Sequence, residues 1–300
     1  MPLNLRPFPR DYSALGMAIE PKSRGDGERL GQELERIAAE DPGLRFSIEP
    51  ESGQIRLGGS SERHLDAVVE KLGAAGIAMN VGAFQVAYRE ILSGPVEANY
   101  THARQTGATN QFARVLMRFE PNSRSMSNTF AVAEQSSLSA EYHAGVEKGF
   151  RSLMASGPLI GFPIVACHAT LIDGAHHDVD SSPLAFEIAT RAAFREAVPE
   201  TAVKLLEPYL EIDITVPDSF TGSVVGDFKS RRGVNTLKEA SPGVAAIYGF
   251  APLANMFGFE ARLASLTQGK ATYSWRLAGL EEVPAGKGPD TFSPAAAKRG

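Results

Sequence analysis

The chain has 300 residues, 43% of them hydrophobic, with a formal net charge of −5. That composition supports packed cores and is too apolar for a disordered chain. An acidic total argues against a general nucleic-acid binder, which needs clustered Lys and Arg, while leaving room for local basic surfaces. The single cysteine, Cys167, excludes an internal disulfide and fits a reducing, cytoplasmic setting. No run approaches the ~18 apolar residues of a membrane helix, and the first residues lack the apolar core of a secretion signal.

Residues 12–88 read as β-α-β-β-α-β. A short apolar strand over 12–19 precedes Asp26, a candidate cap for a helix whose Leu30, Leu34, Ile37 and Ala38 share one face. Pro42 stops that helix. Phe46/Ile48 and Ile55/Leu57 alternate with polar residues around a turn at 50–53. Leu65, Val68, Val69 and Leu72 mark a second helix, and Gly76 leads into a strand over 79–88.

The middle, residues 89–204, has a different pattern. Strands are expected at 96–102, 112–119 and 129–135, then a helix over 140–156 with Tyr142, Val146, Phe150 and Leu153 inward. The run 162–172 reads as a strand with Val165, Cys167, Ala169 and Leu171 on its buried face, which makes Cys167 a small hydrophobe. Ser182 caps and Pro183 starts a last helix to about residue 197.

Residues 205–280 repeat the first order. A strand over 209–216 leads to Asp218 as N-cap, Arg231 and Arg232 fall in the helix's last turn, and Gly233 suits the left-handed position beyond it. Hairpin strands follow at 234–238 and 244–250. Pro252 fits the first turn of a helix bearing Phe259, Leu263 and Leu266, Gly269 ends it, and a strand over 272–277 closes the unit. Two βαββαβ units are the ferredoxin-like pattern twice, an α+β chain. Residues 1–11 read as a linker, and the Gly-, Pro- and Ala-rich residues 281–300 as a tail.

The chain contains no P-loop, no G-x-G-x-x-G, no zinc-spaced Cys/His array and no G-x-S-x-G elbow. Its densest polar stretch runs over 173–182, with His176, His177, Asp178 and Asp180. Three readings stand there: a metal site supporting a hydrolase, carboxylates offsetting a helix dipole, or an exposed loop tip that touches RNA through its imidazoles. The connection over 104–111, flanked by Arg104 and Arg114, suits either an ordinary hairpin turn or a flexible tip that approaches a backbone closely. His64 and His168 read as plain surface or interface residues.

Several stretches resemble elongation factor G. Arg104-Gln105-Thr106-Gly107 with Phe119-Glu120-Pro121, and His177-Asp178-Val179-Asp180-Ser181-Ser182 before Leu184-Ala185-Phe186, are similar to the two loops of its domain IV. Leu206-Glu207-Pro208, Ser230-Arg231-Arg232-Gly233, Met256-Phe257-Gly258 and Ser265-Leu266-Thr267-Gln268-Gly269 resemble domain V, while Ile19-Glu20-Pro21-Lys22 and Gln85-Val86-Ala87-Tyr88-Arg89-Glu90 resemble the edges of domain III. The resemblance implies a domain III-like unit (12–88), a ribosomal-protein-S5-like α/β unit (89–204) and a domain V-like unit (205–280), with residues 1–11 as the end of domain II or a linker. It implies a monomer that engages the ribosome's 16S and 23S rRNA and its tRNA–mRNA. The RNA-facing residues would be Gln105, Thr106, Gly107, His176, His177, Asp178 and Val179 at the domain IV tip, and Arg231, Arg232 and Gly233 in domain V. The implied activity is GTP-dependent translocation in the intact protein, or ribosome protection or recycling within the same family. GTP and Mg belong to the full-length family; no cofactor, metal or catalytic residue is expected in these 300 residues. The sequence departs from the family at Ala108-Thr109-Asn110, where the family has Gly-Arg-Gly, and at His176, where it has tyrosine.

Overall fold

The computed structural model describes residues 3–10, 12–48, 54–106 and 109–289. The first unit comprises β1 (Leu15–Pro21), α1 (Arg24–Glu40), β2 (Arg45–Ile48), β3 (Ile55–Gly59), α2 (Glu62–Ala74) and β4 (Met79–Val86). Its sheet order is β2-β3-β1-β4, and every pairing is antiparallel. Leu15, Met17 and Ile19 face Leu30, Leu34 and Ile37 of α1 and Leu65, Val68 and Leu72 of α2. Each such side chain contributes about 1.5–3 kcal/mol of hydrophobic stabilisation. Ser23, not Asp26, caps α1: its hydroxyl accepts from the Asp26 amide at 3.1 Å, and Asp26 sits in the first turn, where its charge suits the dipole. The turn expected at 50–53 lies outside the described residues. His64 is not a plain surface residue, because it links Asp41 Oδ2 (2.8 Å) to the amide of Ser60 (3.2 Å).

The middle unit begins with β5 (Arg89–Leu92), which the sequence pattern does not announce. It continues with β6 (Val96–Thr106), β7 (Thr109–Pro121), β8 (Thr129–Val132), α3 (His143–Met154), β9 (Cys167–Ala175) and α4 (Pro183–Ala197). The sheet runs β6-β7-β9-β8, with only the β8–β9 pair parallel. The two helices cover one face, where Phe119 meets Phe194 edge-on at 5.0 Å and Phe150, Phe186 and Cys167 are buried. Burial pushes the Cys167 thiol up to about 12, so it is inert as a nucleophile. The strand expected over 162–172 starts later, because Ala166 adopts φ +52° and the preceding residues form a loop.

The third unit comprises β10 (Val203–Pro217), α5 (Asp218–Ser230), β11 (Val234–Ser241), β12 (Val244–Pro252), α6 (Phe259–Thr267) and β13 (Thr272–Glu282). Its order, β11-β12-β10-β13, repeats that of the first unit, and the early part of β10 pairs with β5 from Val203↔Leu92 to Leu206↔Arg89. Three local expectations are corrected. Asp218 is the first helical residue, and Pro217 holds the cap position without a side-chain bond. Arg232, at φ +64°, occupies the left-handed position expected for Gly233. Pro252 ends β12 and precedes a short 3-10 turn instead of opening α6.

The first and third units share one continuous core, within which Phe84 stacks near Phe257 at 6.4 Å and Trp275 packs at the edge. The middle unit joins the third through the β5–β10 pairing.

Candidate nucleic-acid interface

The tip of the middle unit is built from two connections. β6 and β7 form a hairpin in register Ala103↔Phe112, Arg104↔Gln111 and Gln105↔Asn110. The residues after β9 form a loop that leads to α4, whose N-cap Ser182 accepts from the Ala185 amide at 3.2 Å. Ser181 fastens this loop. Its hydroxyl donates to the Phe112 carbonyl (2.7 Å) and accepts from the His177 amide (2.8 Å), while the Phe112 amide donates to the Asp180 carbonyl (2.9 Å). Phe112 faces Ala103 across the hairpin, and Gln105 lies two residues further along β6, roughly 7 Å at the usual strand rise. Both connections therefore sit at one end of the sheet, side by side.

Their side chains reach outward. Val179 is 83% exposed and the Asp178 side chain 96%. Gln105 and His177 are exposed as well. The His177 Nδ1 lies 3.2 Å from Asp180 Oδ2. The His176 ring packs over Tyr142 at 5.2 Å, and Tyr142 stacks on Phe186 at 4.8 Å, so the loop root is held by an aromatic column that reaches the core. Below it, the Ser137 amide and hydroxyl donate to Asp173 Oδ1 (3.0 and 2.8 Å), holding that carboxyl below its usual range. Gly107 lies outside the described residues, as does the side chain of Thr106.

The metal reading of this loop is corrected. His176 pairs with Asp178 (3.8 Å) and His177 with Asp180, as two separate couples. Among the described residues no group of three or more His, Cys, Asp or Glu could hold a metal ion, so a metal-dependent hydrolase loses its centre.

Three family models match consecutive stretches: elongation factor G domain III over residues 12–83, domain IV over 84–202 and the elongation factor G C-terminus over 204–290. The chain belongs to the elongation factor G family. Elongation factor G of Paracoccus denitrificans (strain Pd 1222) is 45% identical over 270 residues, which is 89% of this chain and 38% of that protein. A crystal structure from Thermus thermophilus superposes with a TM-score of 0.66 at 30% identity, covering 93% of this chain and 42% of that one. The chain thus spans about two-fifths of the length of these relatives.

In domain V, the Arg231-Arg232-Gly233 segment is turned into the fold. Arg231 donates to Asp227 Oδ2 (2.8 Å) and to the Asn255 carbonyl (2.8 Å), and lies over the Phe259 ring at 5.2 Å. Arg232 forms a two-bonded pair with Glu207, which is 1% exposed. Burial pushes the Glu207 carboxyl up from its usual range, and the Arg232 bonds oppose that shift. The amides of Arg232 and Gly233 bond the carbonyls of Lys229 and Phe228 in a Schellman turn, so Arg232 accepts a strained left-handed backbone to reach Glu207. Glycine at 233 serves packing: a Cβ there would lie 2.5 Å from the Phe228 ring. Several donors of both arginines are therefore engaged within the fold, which fits closing the helix end, while the rRNA-facing role expected of this segment is a separate proposal.

Where domains III, IV and V meet, Glu90 is fully buried, and sequence reasoning did not single it out. Its Oε1 accepts from the amides of Ile160 (2.9 Å), Gly161 (2.9 Å) and Phe162 (3.0 Å), and its Oε2 from Leu159 (3.0 Å). Successive amides converging on one carboxylate form an anion nest. The available signal is an acidic residue standing directly before the apolar pair Ile91-Leu92.

Proposed function

We propose that this chain is the ribosome-engaging half of an elongation factor G-like translation factor, with domain IV acting as a rigid arm whose tip faces RNA. One observation supports this above the others. The Phe112 amide's bond to the Asp180 carbonyl, and the Ser181 hydroxyl's bond to the Phe112 carbonyl, draw the two polar connections into a single projecting surface. Gln105 supplies an amide, His177 an imidazole and Asp178 a carboxylate, while Val179 offers an apolar contact; these suit base edges, 2′-hydroxyls and stacking. The arm does no bond-making. It would occupy space beside the tRNA–mRNA duplex and block back-slippage while a nucleotide-driven state change elsewhere in the intact protein sets direction. GTP and Mg, which the family employs, have no P-loop in these 300 residues to hold them.

The departure at Ala108-Thr109-Asn110, which removes an arginine the family places there, favours ribosome protection or recycling as a second reading. Co-sedimentation of the 300-residue chain with ribosomes tests the proposal. Binding that falls as salt rises, and that weakens when Gln105 and His177 are both replaced by alanine, is the expected result. A chain that stays in the supernatant at low salt overturns it. Translocation against splitting of ribosomes by the intact protein separates the two readings.

A further inference from the structure

A cleft of about 410 Å³ lies between the open face of the domain III sheet and the domain IV loop that follows α3. Its floor is Gly16, Ala18 and Gly58, positions whose small side chains alternate with the core residues Leu15, Met17 and Leu57. Its walls carry Arg56, Gln85 and Arg89 from one side and Ser156 from the other. None of the described residues lining it is an aspartate or glutamate.

Arg89 is the unusual member. Its guanidinium lies over the Tyr12 ring at 4.8 Å, and its Nη1 donates to the Tyr88 carbonyl at 2.7 Å and, more weakly, to Ala87 at 3.4 Å. Tyr12 is itself fixed, through its hydroxyl on the Ala87 carbonyl (2.6 Å) and its stacking on Phe8 (4.8 Å). The edge carrying Nε and Nη2 makes no hydrogen bond to any described residue, and Arg89 has no carboxylate partner among them. Burial lowers its pKa from the usual arginine value, a shift the neighbouring Tyr12 opposes. A part-buried guanidinium with no carboxylate partner among the described residues is costly, and holding it over the Tyr12 ring pre-organises a two-donor edge of the geometry that matches an oxyanion.

We propose that this cleft is a binding site for a small oxyanion, a phosphate or carboxylate group, held by the Nε/Nη2 edge of Arg89 between domains III and IV. The pocket has the volume of a small-molecule site. Because its lining comes from both domains, an occupied cleft would favour the orientation in which they embrace the anion.

Inorganic phosphate and acetate, titrated separately into the 15N-labelled full chain at constant ionic strength, test this. The Arg89 Nε–Hε signal, identified by its loss in Arg89→Lys, is expected to shift saturably with phosphate, acetate or both, and the responding anion names the chemistry. A second variant guards against misfolding. A Cβ at Gly16 meets nothing nearer than 3.5 Å, so Gly16→Asp has room for its first side-chain carbon and sets a carboxylate on the cleft floor. The Gly16→Asp chain is expected to stay folded and lose the saturable response. No saturable shift of the Arg89 signal with either anion overturns the proposal, as does a response unchanged in folded Gly16→Asp.

Discussion

Replacing Glu90 by alanine should cripple the junction of the three domains. The carboxylate accepts four backbone amides, and the variant leaves them without their acceptor. Only the bond to Phe162 is fully buried, so that amide bears the whole desolvation penalty, about 1–3 kcal/mol. The amides of Leu159, Ile160 and Gly161 are partly buried and can recruit water, at about 0.5–1 kcal/mol each. The total is about 2.5–6 kcal/mol, which brackets the loss found when one side of a buried charged network is removed. Glutamine keeps one acceptor oxygen but turns an NH₂ toward a donor, so Glu90→Gln should lie between wild type and alanine. Urea unfolding followed by far-UV circular dichroism, paired with hydrogen exchange at residues 159–162, reads both effects. A loss under about 0.5 kcal/mol for Glu90→Ala, with protection at 159–162 retained, would refute the reasoning, since that is the scatter of neutral surface changes.

Other expectations follow from the same structure. Glu207→Ala should destabilise domain V by about 3–5 kcal/mol by stranding Arg232, whereas Arg232→Gly should cost about 1 kcal/mol less than Arg232→Ala, because glycine accepts φ +64°; equal losses in a thermal melt would contradict the strain argument. His177→Ala should leave unfolding within about 0.5 kcal/mol of wild type, as a half-exposed ring on a loop tip; a larger loss would make the residue structural. The Asp173 carboxyl is depressed in the fold, so its contribution is present above the unfolded carboxylate pKa and is lost as pH falls through the lower folded value. Asp173→Asn should therefore flatten the acid limb of a stability–pH curve, and an unchanged limb would show that Ser137 is not its source.

The elements that were readable in the sequence are those with local chemistry. α4 spans Pro183–Ala197 because a serine cap and a proline at the first helical position are contiguous signals. The two βαββαβ orders were legible because each strand and helix shows its own period. β5 was not: four residues cannot display a period, and its partner at Val203–Leu206 is over a hundred residues away. Glycine's general preference points to Gly233 for the left-handed cap, whereas Arg232, paired with the buried Glu207, holds that position without any local signal in the sequence. At the tip, each loop's composition suggested exposure. Their adjacency depends on the Phe112 register, which only the fold supplies.

Tethered cleavage from the domain IV tip examines the RNA-facing arm most directly. Cys167 is fully buried with a raised thiol pKa, so Asp178→Cys offers a single reactive attachment point for an iron chelate. On ribosomes, hydroxyl radicals from residue 178 are expected to cut small-subunit rRNA around the bound tRNA and mRNA, at positions untouched by a chelate on Arg24→Cys, whose side chain is 97% exposed on α1. Identical cuts from both positions, or none from residue 178 on ribosomes that bind the chain, would contradict it.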